Sequence, residues 1–148
     1  MTFDAQSFLD ASVTTSNDTQ VTPVPEGEFQ GVIEKAVPRT WQSKDGSKSG
    51  VAMDITWLVE DFGVKELLGR ETVTVRQGLM LDLTPSGSID TSHGKNVDLG
   101  RLREAVGKNQ AGQPFAFSML PGLAAKIRVK HRIDGENVYA EVKGVAKM

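Results

Sequence analysis

The sequence predicts an all-β fold: five strands closing into a barrel, with one helix between the third and the fourth. Three observations predict it. Val51–Val59 and Ala125–Arg132 alternate apolar and polar residues at a period of two, as half-buried strands do. Leu99, Leu102 and Val106 recur at helical spacing only once, late in the chain. Turn chemistry then divides the rest into one long hairpin and one short one, around Asp45-Gly46 and Asp134-Gly135. Strand, long hairpin, strand, strand, helix, strand, short hairpin, strand is the element order of the five-stranded OB-fold.

Each element has its own justification. Residues 1–25 are rich in Thr, Ser, Asn, Asp and Gln and form an N-terminal arm, flexible or loosely docked. Asp4 to Ala11 is expected to make a short helix that packs Phe8 and Leu9. The barrel domain spans 26–148. Its first strand runs from Glu28 to Val37, with Phe29, Gly31 and Ile33 on one face. Gly31 marks a bulge or bend, and Pro38 ends the strand. In the second strand Val51, Met53, Ile55, Trp57 and Val59 face the core. Asp61-Phe62-Gly63 turns the chain toward a third strand within Arg70–Leu83, where Arg76 shares a face with Thr72 and Thr74. Asp98 is the expected N-cap of the helix and Gly107 its stop. Phe115–Leu120 plugs the end of the core. Lys126, Arg128, Lys130 and Arg132 then line one face of the fourth strand, Ile133–Asn137 turns it, and Val138–Val145 is the fifth.

Charge is segregated although its sum is small. The net charge is −2, yet no Lys or Arg precedes Lys35, and between Leu99 and Arg132 seven cations face the single carboxylate Glu104. That asymmetry favours an anionic partner for the later half. The four cations of the fourth strand serve either as an edge that resists aggregation or as a track for a polyanion. Arg39, Lys44 and Lys48 make the long hairpin loop, Pro38–Gly50, basic as well. Trp41 stands in that loop, either as a lid over the barrel end or as a stacking platform for a base.

Other chemistries find little support. Without cysteine there is no disulfide, thiolate site or cysteine nucleophile. The two histidines, His93 and His131, have no nucleophile or metal-ligand motif around them. Asp45–Ser49 has a Lys-Ser pair but lacks the first glycine of a phosphate-binding loop. The expectation is a protein that is not an enzyme and needs no metal or cofactor. With no apolar run of about 20 residues and no basic-then-apolar start, the expected place is the cytoplasm, off the membrane.

Several stretches resemble, in order, a family of small phage-encoded single-stranded DNA-binding proteins of OB-fold type. Pro25-Glu26-Gly27-Glu28-Phe29 is similar to that family's opening of the first strand. Lys44-Asp45-Gly46 followed by Met53–Trp57 resembles its loop and second strand. Leu68-Gly69-Arg70-Glu71 resembles the entry to its third strand, Leu102–Gly107 its helix, and Ala124–Val129 with Asp134–Val138 its closing hairpin. The chain departs from the family in having few aromatic residues for the binding face. It also ends in Lys143–Met148 rather than an acidic recruiting tail, which leaves the acidic arm as the segment suited to recruiting partners. The resemblance implies a non-catalytic, largely sequence-independent single-stranded DNA-binding protein of phage replication or recombination, acting in the host cytoplasm. RNA is the alternative ligand, phage or host replication proteins the further partners, and self-association is left open. Arg39, Lys44, Lys48, Arg76, Lys126, Arg128, Lys130 and Arg132 would contact phosphates, Trp41 would stack on a base, and Phe62 and Tyr139 would assist. The rival from another class is an OB-like protein-interaction or assembly module, in which Lys126–Arg132 pair across a subunit interface or with Glu141 and its neighbours.

Overall fold

The computed structural model describes residues 2–148. In chain order it contains helix α1 (Ala5–Asp10), strands β1 (Gly27–Gln42) and β2 (Ser49–Val59), helix α2 (Phe62–Leu68), strand β3 (Thr74–Leu81), helix α3 (Val97–Ala105), a 3-10 turn at Phe117–Met119, and strands β4 (Ala124–Asp134) and β5 (Asn137–Ala146). The strands close into a barrel in the order β1-β2-β3-β5-β4. All neighbours are antiparallel except β3 and β5, which run parallel and meet at Arg76 and Glu141. With α3 between β3 and β4, this is the OB-like barrel the sequence predicts. Among the described residues no helix is long and apolar enough to cross a membrane.

The core follows from the alternation. Met53, Ile55, Trp57 and Val59 of β2, Val75 and Leu79 of β3, Ile127 and Val129 of β4 and Val142 of β5 all point inward, joined by Leu99, Leu102 and Ala105 of α3. Full burial of a side chain such as Ile55 or Ile127 contributes about 1.5–3 kcal/mol. Trp57 is completely buried, and its indole Nε1 donates to Gln77 Oε1 at 2.9 Å, so its one polar atom is satisfied inside the barrel. Gly31 is explained by close approach: a Cβ there would lie 3.0 Å from both Trp57 Cε3 and Ile127 Cδ1. The bulge itself is at Glu34, where the register with β2 skips a residue between Ile33 and Lys35.

Several expectations are corrected. Pro38 does not end β1; the strand continues to Gln42, with Pro38 opposite Met53. From Ile33 onward β1 pairs with β2 alone, because its pairing with β4 covers only Gly27–Val32. Alternate N–H groups there have no strand partner, and a proline is tolerated on such an edge. The long hairpin loop therefore shrinks to a tip around Lys44–Ser47, and Arg39 and Trp41 lie on a strand. The turn expected after Asp61 is a helix: Asp61 caps α2 by accepting from the Val64 N–H at 3.0 Å, and Gly69 ends it in the left-handed region at φ +65°. The N-cap of α3 is Asn96 rather than Asp98. Of Phe115–Leu120 only Leu120 is fully buried; Phe115 and Phe117 pack from the side. Helix α1 forms, but Phe8 and Leu9 stay exposed. Val24, inside the arm by sequence, is part of the core.

Candidate nucleic-acid interface

The outer surface of β1, β2 and β3 brings together Arg39, Trp41 and Arg76, with Lys44 and Lys48 at its hairpin tip. Directly opposed residues on neighbouring strands share a face. Past the Glu34 bulge, Lys35, Val37, Arg39 and Trp41 stand opposite Thr56, Asp54, Ala52 and Gly50. Thr56, Asp54 and Ala52 in turn oppose Arg76, Gly78 and Met80. The rows are Lys35–Thr56–Arg76, Val37–Asp54–Gly78 and Arg39–Ala52–Met80, with Trp41 over Gly50 at the hairpin end. Gly50, Ala52 and Gly78 keep the floor shallow, while Val37 and Met80 supply exposed apolar surface.

Trp41 is half-buried, with its indole laid on the Gly50 backbone; a Cβ at Gly50 would fall 2.8–2.9 Å from the ring atoms Nε1, Cε2 and Cζ2. Its Nε1 is buried and has no hydrogen-bond partner among the described residues. Beside it an open cleft of about 410 Å³ is bounded by Leu81 at the end of β3 and by Asp82, Leu83, Asp90 and Lys95 of the β3–α3 connection. Asn96 ties that connection down: its Nδ2 donates to the carbonyls of Asp82 at 2.8 Å and Asp90 at 2.9 Å, and its Oδ1 accepts from the Asp82 N–H at 2.8 Å. The requirement to make these bonds accounts for a capping residue in the left-handed region, at φ +52°.

The hairpin tip is organised by Asp45. Its Oδ1 accepts from the Ser47 N–H at 3.0 Å, the Ser43 hydroxyl at 2.7 Å and the Ser47 hydroxyl at 2.7 Å. Those bonds, the Ser47 N–H foremost, hold its carboxyl down from 3.8 to about 2. Lys44 and Lys48 project from this braced turn and make no ion pair among the described residues. Arg39 is different: its Nε donates to Asp54 Oδ2 at 2.9 Å. Arg76 stands in the middle of the face, exposed and without an ion pair among the described residues.

The cationic face of β4 is more heavily engaged than its sequence suggests. Lys126 Nζ lies 3.8 Å from Glu28 Oε2. Arg132 Nε donates to Glu141 Oε1 at 2.6 Å and its guanidinium sits 4.7 Å from the centre of the Tyr139 ring. Arg132, and secondly Lys143, push the Glu141 carboxyl below its ordinary range. Arg128 lies across Gly144, and it and Lys130 have no ion pair among the described residues. In the closed barrel β4 adjoins β1 and β5, so these cations flank the β1–β2–β3 face rather than belonging to it. Phe62 is 80% exposed but sits on α2, beyond the far end of β2, roughly 30 Å of strand from Trp41. Neither Phe62 nor Tyr139 is brought to Trp41. Lys35, Val37 and Met80 are the members of the face that the alternation alone did not single out; their placement depends on the bulge and on β1 running through Pro38.

Among the described residues no three or more of His, Cys, Asp and Glu come together as ligands of a metal ion would. The chain matches no protein-family model and no curated protein.

Proposed function

We propose that the protein binds single-stranded DNA without catalysis and largely without regard to sequence, through the outer face of β1, β2 and β3. The observation that carries this is the contrast between the two tryptophans. Trp57 is fully buried with its Nε1 bonded to Gln77. Trp41 lies on an outer strand face over a glycine, and its Nε1 has no hydrogen-bond partner among the described residues. A ring held flat on a shallow floor is a stacking platform, and Arg76, Lys44, Lys48 and Lys35 supply cations along a backbone path past it. The setting implied by the family resemblance is phage DNA replication or recombination.

The experiment is a fluorescence titration of the full chain with oligo-dT at two salt concentrations, alongside oligo-U. Binding that weakens as salt rises supports the proposal; absent or salt-insensitive binding rejects it. Tighter binding of oligo-U makes RNA the ligand.

A second reading, a protein-interaction module, is favoured by one observation. Two of the four cations facing outward on β4 are engaged within the molecule, Lys126 with Glu28 and Arg132 with Glu141. Light scattering with and without oligonucleotide separates the two.

A further inference from the structure

The N-terminal arm is tied to the barrel at its root and open beyond it. Gln20 Nε2 donates to the Glu136 carbonyl at 3.0 Å, the Val24 carbonyl lies 2.7 Å from His131 Nε2, and Glu26 Oε2 accepts from the His131 N–H at 2.9 Å. Farther out, α1 buries none of its residues. Phe3, Phe8 and Leu9 are 70%, 67% and 74% exposed, although the two phenyl rings pack on each other with centres 5.3 Å apart. Asp4 caps the helix by accepting from the Gln6 N–H at 3.1 Å. The segment is therefore an ordered aromatic knob on an anionic peptide, since no Lys or Arg precedes Lys35. A displayed apolar cluster of this kind marks a surface that another surface covers.

The barrel carries a cleft of matching chemistry. It has a volume of about 710 Å³ and lies between the arm's root, the end of α2 and the β4–β5 hairpin. Leu68, Val73, Val138 and Ala140 contribute apolar walls, and Arg70, His131, Asn137 and Tyr139 are among the polar ones; no lining residue is a carboxylate. Arg70 has no ion pair among the described residues. We propose that this cleft receives the α1 segment of a second copy of the chain, with the Phe3–Phe8 pair against the apolar walls and an arm carboxylate facing Arg70. The donor and receptor surfaces differ, so the contact is heterologous and propagates head to tail instead of closing as a symmetric dimer. The arm's root lines the same cleft, so one molecule's arm departs where its neighbour's arrives.

Sedimentation velocity of the full chain across a concentration series, without nucleic acid, tests this. The sedimentation coefficient is expected to rise with concentration. Phe8→Asp removes the donor and Val138→Asp the receptor, and each is expected to weaken association by about tenfold or more. Both positions are exposed, and fluorescence of the buried Trp57 checks that the variants fold. The decisive arm mixes the two variants. Each pair retains one good donor and one good receptor, so the mixture forms a one-to-one dimer and nothing larger. A wild type that is monomeric at every concentration overturns the proposal, as does association that neither variant weakens or a mixture that stays monomeric. A monomer whose Phe8 signals shift on Val138→Asp shows the arm in its own cleft, and overturns it too. With no oligonucleotide present, none of these outcomes depends on the DNA-binding reading.

Discussion

At the scale of single residues, the Trp41–Gly50 contact separates a ligand-binding role from a packing role. If Trp41 stacks on a base, Trp41→Ala weakens oligo-dT binding by about 1–3 kcal/mol. Gly50→Ala does so while the indole is retained, because the new Cβ would lie under 3 Å from the ring and displace it. Near-UV circular dichroism from Trp57 should remain unchanged in both. A loss of thermal stability with unaltered oligo-dT affinity would return Trp41 to a packing role. Asp54 gives a prediction of opposite sign. It is the one carboxylate in the rows across β1, β2 and β3, and it holds Arg39. Asp54→Asn frees that guanidinium, so affinity for oligo-dT should rise, and the slope of log K against log salt should steepen by about 0.7 for one added phosphate contact. The identity of Trp41 as the residue to watch was legible, since a tryptophan among Arg39, Gln42, Ser43 and Lys44 has no core of its own. Its place on a strand was not. That required knowing that β1 loses β4 as a neighbour after Val32, so that Pro38 falls on an edge where a missing N–H costs little.

At the scale of elements, the hairpin tip is a small unit whose order depends on one charge. Asp45 accepts three hydrogen bonds across Ser43 and Ser47, and its carboxyl titrates near 2 in the folded chain against 3.8 for the free group. Because the folded value is the lower one, the tip's stabilisation is fully present above about 3.8 and is lost as pH falls through about 2. A carboxyl carbon NMR titration should find Asp45 titrating well below a solvated aspartate, with the Ser47 amide shifting in step. Asp45→Asn should remove that titration and hasten exchange of the Ser47 amide; an Asp45 midpoint near 3.8 would show the bracing to be absent in solution. Lys44-Asp45-Gly46 was readable as a turn from composition alone. Helix α2 was not, because its seven residues bury only Val64 and are too short to show a period. Its signature is in its ends: Asp61 three residues before Val64, and Gly69 in the left-handed region. Caps mark such a helix where periodicity cannot.

At the scale of the molecule, the question is how much of the segregated charge reaches a ligand. Between Leu99 and Arg132 the sequence shows seven cations and one carboxylate, yet the fold brings partners from outside or from the edge of that window. Asp98 meets Arg101, Glu28 meets Lys126 and Glu141 meets Arg132, while Arg103 lies 4.6 Å from the centre of the Phe115 ring. A count along the chain cannot see Glu28 or Glu141, which arrive through the β1–β4 and β4–β5 pairings. The barrel was legible because alternation and turn chemistry are local; the distribution of free cations was not, because it is set by register. Lys35, Lys44, Lys48 and Arg76 remain without ion pairs on the Trp41 face and its hairpin, and Arg128 and Lys130 on β4. A strand confined to β1, β2 and β3 contacts the first four, which gives a slope of log K against log salt of about −3; a strand continuing onto β4 adds two contacts and brings it to about −4. Charge reversal decides between the paths more sharply than the slope. Arg76→Glu should weaken oligo-dT binding and flatten the salt dependence, whereas Lys130→Glu should leave both nearly unchanged. If Lys130→Glu instead matches Arg76→Glu, the bound strand runs around the barrel by way of β5, where Glu141 stands opposite both Arg76 and Lys130.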